Sequence, residues 1–154
     1  MRIRKARPED AKEIVKLVRE TIRKVNSEDY TKKQVNAWVS SNKAKKMREF
    51  IAGKRKVFVA VDKDKIIGMA TWTQSENQVG ALYVQKDRIG EGIGKKLYDR
   101  VEEEARKAGT KELKLYSTIT AVPFYKKRGY KSVRKTHVTM NKVKIPCVIM
   151  KKKL

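Results

Sequence analysis

At 154 residues the chain has room for one domain around a single core and too little for a comfortable second one. Hydrophobic residues make up 40% and charged residues 37%, with a net charge of +23 at pH 7; one cysteine, Cys147, rules out an intrachain disulfide framework and a cysteine zinc cluster. No apolar run approaches the ~18 residues of a membrane span, and Met1-Arg2-Ile3-Arg4-Lys5 is followed by no apolar signal core, so the expectation is a cytoplasmic protein with no membrane partner.

Residues 2–6 suit a short strand. Pro8-Glu9-Asp10 then opens a helix whose apolar positions Ala11, Ile14, Val15, Val18, Ile22 and Val25 recur at 3.6-residue spacing. Thr31-Lys32-Lys33-Gln34 has the form of a capping box for a second helix that buries Val35, Trp38 and Val39. A third short helix near 43–52 groups Met47, Phe50 and Ile51. Residues 56–61 and 66–73 are β-branched and aromatic runs around a polar turn at 62–65, which is a hairpin pattern. A further strand over 80–85 leads into Asp87-Arg88-Ile89-Gly90-Glu91-Gly92-Ile93-Gly94-Lys95-Lys96-Leu97, and the helix beyond stacks Ile93, Leu97, Val101 and Ala105 before stopping at Gly109. Glu112 to Ser117 alternates as a strand, and Ala121 to Arg128 forms a short helix with Pro123 in its first turn. Residues 130–140 and 143–150 read as a closing hairpin. Pro146 cannot donate to a ladder, so that strand is expected at an edge or with a bulge, and Lys151-Lys152-Lys153 as a solvated end.

The strand, glycine loop and helix make a phosphate cradle: glycines at 90, 92 and 94 permit a tight turn, and the helix start offers unpaired N–H groups. By itself this pattern fits a dinucleotide, a nucleoside triphosphate or an acyl-CoA. A dinucleotide site needs the glycines early in a βαβ repeat with a following acidic residue. A triphosphate loop ends in Gly-Lys-Ser/Thr, whereas Gly94-Lys95-Lys96 lacks the hydroxyl for magnesium. The basic residues are scattered through every segment; they favour polyanions in general, mildly disfavour polycationic acceptors, and define no nucleic-acid site.

Leu82-Tyr83-Val84, then Gly90-Glu91-Gly92-Ile93-Gly94 and Leu97, resemble the acetyl-CoA motif of the GNAT superfamily of N-acetyltransferases. Ala121-Val122-Pro123-Phe124-Tyr125, followed by Gly129-Tyr130, is similar to that family's second signature. The resemblance implies a mixed α/β fold with a splayed, mostly antiparallel sheet of six to seven strands flanked by four to five helices. It implies acetyl-CoA as cosubstrate and an amine acceptor, small or on a peptide or protein, with no metal and with a homodimer as a possible assembly. Leu82, Tyr83 and Val84 would hold pantetheine; backbone N–H groups over Ile89, Gly90, Glu91, Gly92, Ile93, Gly94 and Lys95 would hold the pyrophosphate; Thr118 would add a hydrogen bond. Tyr125 would be the catalytic donor to the departing thiolate. Ile89 stands where the family pattern has Arg or Gln, and Thr118 where it often has Asn, which leaves Arg88 or Lys95 as charge support. The acceptor is expected near the first two helices, the 74–79 loop and the closing hairpin.

Each residue has a plainer role beside this one. Tyr125 can be a core aromatic next to Phe124, His137 a cross-strand residue, and Cys147 a small buried strand residue. For the general base, Glu76 and a water chain are both open. The alternative function is a non-catalytic acyl-CoA-binding or regulatory module with a basic partner-binding surface.

Overall fold

The computed structural model describes residues 1–154. Strand β1 (Arg2–Lys5) is followed by α1 (Ala11–Lys24), α2 (Lys32–Ser41) and α3 (Ala44–Ala52), then β2 (Arg55–Asp62), β3 (Lys65–Thr73) and β4 (Gln78–Val84). After the glycine loop come α4 (Ile93–Lys107), β5 (Glu112–Thr118), α5 (Val122–Lys127), β6 (Lys131–Met140) and β7 (Val143–Lys153). The seven strands form one sheet in the order β1-β2-β3-β4-β5-β7-β6, antiparallel except at β4–β5. No helix is long and apolar enough to cross a membrane.

Local chemistry fixes the joints. Asp10 accepts two bonds from the Arg4 guanidinium, at 2.7 and 3.1 Å, and one from the Arg7 N–H at 2.7 Å, which ties β1 to the start of α1. The capping box at α2 is reciprocal: Gln34 N–H donates to Thr31 Oγ1 at 3.2 Å, and Thr31 N–H donates to Gln34 Oε1 at 3.0 Å. The β2–β3 turn places Lys63 and Asp64 at φ 50° and 62°, the left-handed pair that matches the twist of a tight hairpin.

The sheet is covered on both faces. On one, Ile14, Val18 and Ile22 of α1 pack with Trp38 of α2, Met47 of α3 and Val59 and Met69 of the strands. On the other, Leu97, Tyr98 and Val101 of α4 pack with Phe58, Trp72, Leu113 and Leu115. Full burial of side chains of this size contributes about 1.5–3 kcal/mol each.

Two expectations at the C-terminal end are corrected. Residues 151–153 are a solvated end only in part: the Lys151 and Lys153 side chains are exposed, but β7 continues through Lys153, pairing Glu112, Leu113 and Lys114 of β5, and Lys152 makes an ion pair with Glu102 of α4. Their lysines tolerate this because their neighbours across the ladder and on α4 include acids. Nor is β7 an edge, since it lies between β5 and β6. The β5 ladder ends at the Thr118–Cys147 pair, one residue before Pro146, so the proline is bordered by β6 alone and its missing N–H breaks no bond to β5.

Candidate active site

The glycine loop is shaped by two residues in the left-handed region, Gly90 at φ 94° and Gly92 at φ 81°. A side chain at either would meet no atom within 4 Å but would carry the backbone strain of that conformation. Gly94 is different, because an added Cβ would lie 3.4 Å from Phe124 and 3.6 Å from Val84, so it lets α4 pass close to α5 and β4. The N–H groups of Gly90, Gly92, Ile93, Gly94 and Lys95 have no backbone acceptor, as the first helical bond of α4 runs from Lys96 N–H to Gly92 O. These free donors at the positive end of α4 could hold an anion. The expected run of donors is narrower than 89–95: Ile89 N–H donates to Lys86 O at 3.3 Å, and Glu91 N–H to Arg88 O at 3.4 Å. The Glu91 carboxylate turns away to hold Arg88, whose guanidinium also reaches Asp62 at 3.0 Å. Arg88 is therefore committed to acids, and Lys95 pairs with Asp99 at 3.0 Å.

Beside this loop the sheet opens. β4 and β5 pair only at Gln78–Lys114 and Val79–Leu115 and then diverge. Gln85 N–H donates to Ile67 O at 2.9 Å, and alternate residues of an antiparallel strand face the same neighbour, so Leu82 and Val84 turn their main-chain groups into the gap. A bulge between Ala70 and Trp72 sets up the divergence. At it, Thr71 Oγ1 accepts the Ala81 N–H at 2.9 Å, and a Cβ on Gly80 would fall 2.1 Å from that oxygen.

The gap holds two chambers. A cleft of about 490 Å³ runs along the glycine loop, with Leu82, Val84, Thr118, Phe124, Lys127 and Arg128 in its walls. An inner chamber of about 210 Å³ is lined by Tyr30, Trp38, Tyr83, Tyr125, Cys147 and other mostly apolar residues. Leu82, Tyr83, Thr118 and Ala121 border both, so the cleft and the chamber adjoin at these residues. Tyr125, 4% exposed, reaches the chamber from α5. Its ring is braced edge-on by Tyr98, Phe124 and Tyr130, and its hydroxyl makes no hydrogen bond within the protein. Burial, with Tyr130 and Tyr83 nearby, pushes its phenol above the ordinary tyrosine range, so the group keeps its proton at any physiological pH. Burial likewise raises Tyr83, and raises the Cys147 thiol so that it stays protonated.

Tyr30 closes the far wall. Its hydroxyl accepts from Ile119 N–H at 2.9 Å and donates to Pro146 O at 2.7 Å, joining the segment after α1 to β5 and β7. Thr118 Oγ1 accepts the Ala121 N–H at 3.1 Å, which fixes the turn into α5 and leaves its proton and a second lone pair free. His137 is exposed on β6 opposite Pro146. Glu76 is exposed in the turn before β4 and lines neither chamber; no carboxylate does. Three cleft residues are not apparent in the sequence: Lys127, Arg128 and Asn26. Arg128 Nε and Asn26 Oδ1 are buried without a partner, an orphaned donor and acceptor on two residues that line the cleft. Arg128 follows Lys126 and Lys127 in a chain of 40 basic residues, and only its burial singles it out.

The family model described as "Acetyltransferase (GNAT) domain" matches residues 26–154. The chain belongs to the GNAT acetyltransferase family. Its fold superposes on a GCN5-related N-acetyltransferase structure from Rhodopseudomonas palustris, whose description also reads "Aminotransferase, Class-II", with a TM-score of 0.93 and 25% identity over 99% of this chain and 95% of that one. The PaiA N-acetyltransferase of Thermoplasma acidophilum, solved in complex with coenzyme A, gives 0.83 and 23% over 99% and 98%. Among curated sequences, YdhI of Bacillus subtilis is 35% identical over 77 residues, 47% of this chain and 48% of its own length. YxbD of the same organism is 33% identical over 73 residues, 46% of each. Both are described as uncharacterized, and this GNAT chain spans about half the length of each. The seven-stranded sheet and five helices are those expected of a GNAT fold.

Proposed function

We propose that this GNAT chain transfers the acetyl group of acetyl-CoA to a primary amine by direct attack. The observation that carries the reading is the placement of the free N–H groups at Gly90 and 92–95 next to the open main-chain edge of Leu82 and Val84. One long ligand with phosphates at one end and amides at the other fits both. Acetyl-CoA supplies the acetyl group as a reactive thioester. In this reading the loop N–H groups hold the pyrophosphate, with Arg128 and Lys127 adding positive charge in place of the committed Arg88. The main chain of Leu82 and Val84 bonds pantetheine as an added strand, and an N–H there polarises the thioester oxygen.

The amine enters from the inner chamber and forms an N–C bond as the C–S bond breaks. The departing sulfur takes a proton from the Tyr125 hydroxyl, the attacking nitrogen gives one up to water, since no carboxylate lines either chamber, and the Tyr125 oxygen regains its proton from that water. The chamber walls, Trp38, Tyr83 and Tyr125 among them, exclude bulk water from the thioester. The test is acetyl-CoA binding by calorimetry together with thiol release in a mixed amine library. Binding and amine-dependent release are expected; binding without release to any amine would leave a non-catalytic acyl-CoA module.

A further inference from the structure

Next to the inner chamber lies a third cavity, of about 340 Å³, and the two share Trp38, Ala81, Tyr83 and Met140 in their walls. The outer cavity is lined by Lys43, Lys46 and Arg55, and by no acid. Arg55 and Lys46 both lie over the Phe50 ring, at 4.0 and 5.8 Å from its centre, so two like charges are gathered at one point. None of the three makes an ion pair, and Glu49, the one acid of α3, makes none either.

Other half-buried arginines are satisfied: Arg4 by Asp10, Arg19 by Asn42 O, Arg88 by Asp62 and Glu91, and Arg100 by Glu104. Arg55 and Arg128 are the two that have neither an acid nor a hydrogen-bond acceptor, and each borders a cavity of the candidate site. Cation–π contact offsets part of the desolvation of a guanidinium without neutralising its charge. A half-buried arginine held with a lysine and without a counterion is a receptor for one.

We propose that the outer cavity is an anion subsite for the acceptor, so that the acceptor is a primary amine with an apolar middle and a carboxylate or phosphate at its far end. The inference rests on the acetyltransferase reading for which end of the molecule reacts. The amine lies at Tyr125, the apolar part passes Trp38 and Met140, and the anion meets Arg55, Lys46 and Lys43. The cavities together reach from β4 to β2, so the acceptor must span at least two strand spacings, or roughly 10 Å. An acceptor with a second positive charge meets three cations and no acid.

The test uses four amines on one scaffold: phenethylamine, 4-(2-aminoethyl)benzoate, tyramine O-phosphate and the dicationic 4-(2-aminoethyl)benzylamine. Dissociation constants are measured by calorimetry on the protein saturated with coenzyme A, and thiol release is followed separately with acetyl-CoA. The anionic members are expected to bind about tenfold or more tighter than phenethylamine, as charge-assisted pairs do, and the dication weakest. Arg55→Gln is expected to collapse the ratio of anionic to neutral affinity toward one, while Arg55→Lys retains part of it. Equal binding of all four, no binding by any, or an anionic preference that survives Arg55→Gln overturns the subsite. An Arg55-dependent preference without thiol release leaves the subsite standing and removes the acetyltransferase reading instead.

Discussion

Replacing Gly80 with alanine tests whether the opening of the sheet is built by the Thr71 bulge. The new Cβ would lie 2.1 Å from Thr71 Oγ1, far inside contact distance, while Thr71 is 4% exposed and spends that oxygen on the Ala81 N–H. Backbone strain is no part of the effect, because Gly80 is outside the positive-φ glycines. The least costly escape is rotation of Thr71, which strands the Ala81 donor. Leaving a part-buried donor unpaired costs about 1–3 kcal/mol, and at about 2–4 °C per kcal/mol for a chain of this size Tm falls by roughly 2–12 °C. Thr71→Ala forfeits the same bond and also removes the obstacle. A double-mutant cycle in urea should therefore show the Gly80→Ala/Thr71→Ala protein no less stable than Gly80→Ala alone, with a coupling of about 1–3 kcal/mol. Thr71→Ser keeps the oxygen and should give no such relief. Additive effects in the cycle, or an unchanged Tm for Gly80→Ala, would refute the reasoning.

Tyr125→Phe should lower kcat by about a hundredfold or more, the usual loss for a general acid, with acetyl-CoA affinity nearly unchanged by calorimetry. Because the Tyr125 phenol is raised above its ordinary value of 10.0, its acid form persists as pH rises, and the wild-type rate should show no Tyr125-dependent fall up to about pH 10 in a stopped-assay profile. Gly92→Val forces a β-branched residue to φ 81°; the loop should lose acetyl-CoA binding by isothermal calorimetry at least tenfold while the far-UV spectrum is kept. The Arg4 guanidinium, with the Arg7 N–H, holds the Asp10 carboxyl below its usual 3.8 despite partial burial, so its stabilisation is present above pH 4 and is lost as pH falls through the folded value. Asp10→Asn should flatten that acid limb in urea melts at pH 2–5, and an unaltered limb would remove Asp10 from the cause.

The parts of the molecule governed by near neighbours were legible from sequence. The spacing of Ile14, Val18 and Ile22, the Thr31–Gln34 box and the stop at Gly109 each depend on residues within a few positions, and each element formed where that pattern placed it. The glycine loop was legible for the same reason. What depends on strand order was not. Pro146 suggested an edge because the sequence does not say that β5 ends one residue short of it, and the final lysines suggested solvent because Glu102 and Glu112 are distant in sequence. In the site, Arg88 next to the glycines was the natural charge for a phosphate, yet Asp62 and Glu91 claim it. Arg128 and Arg55 take their significance from burial without a partner, a property no single residue type announces.

The two pairs that join β4 to β5 make the sheet two half-sheets sharing a short seam. One half, β1 to β4 with α4, carries the glycine loop and the Leu82 edge; the other, β5, β7 and β6 with α5, carries Tyr125 and Arg128. Tyr30 is a clasp across the opening, with one bond to Ile119 and one to Pro146. A ligand filling the gap becomes part of the scaffold, so saturation at a hundred times Kd should add about 2.7 kcal/mol to the free energy of unfolding. The amides of Leu82, Val84 and residues 116–118 should then slow in hydrogen exchange, while those of β1 and β2, which line neither the cleft nor the inner chamber, hold their rates.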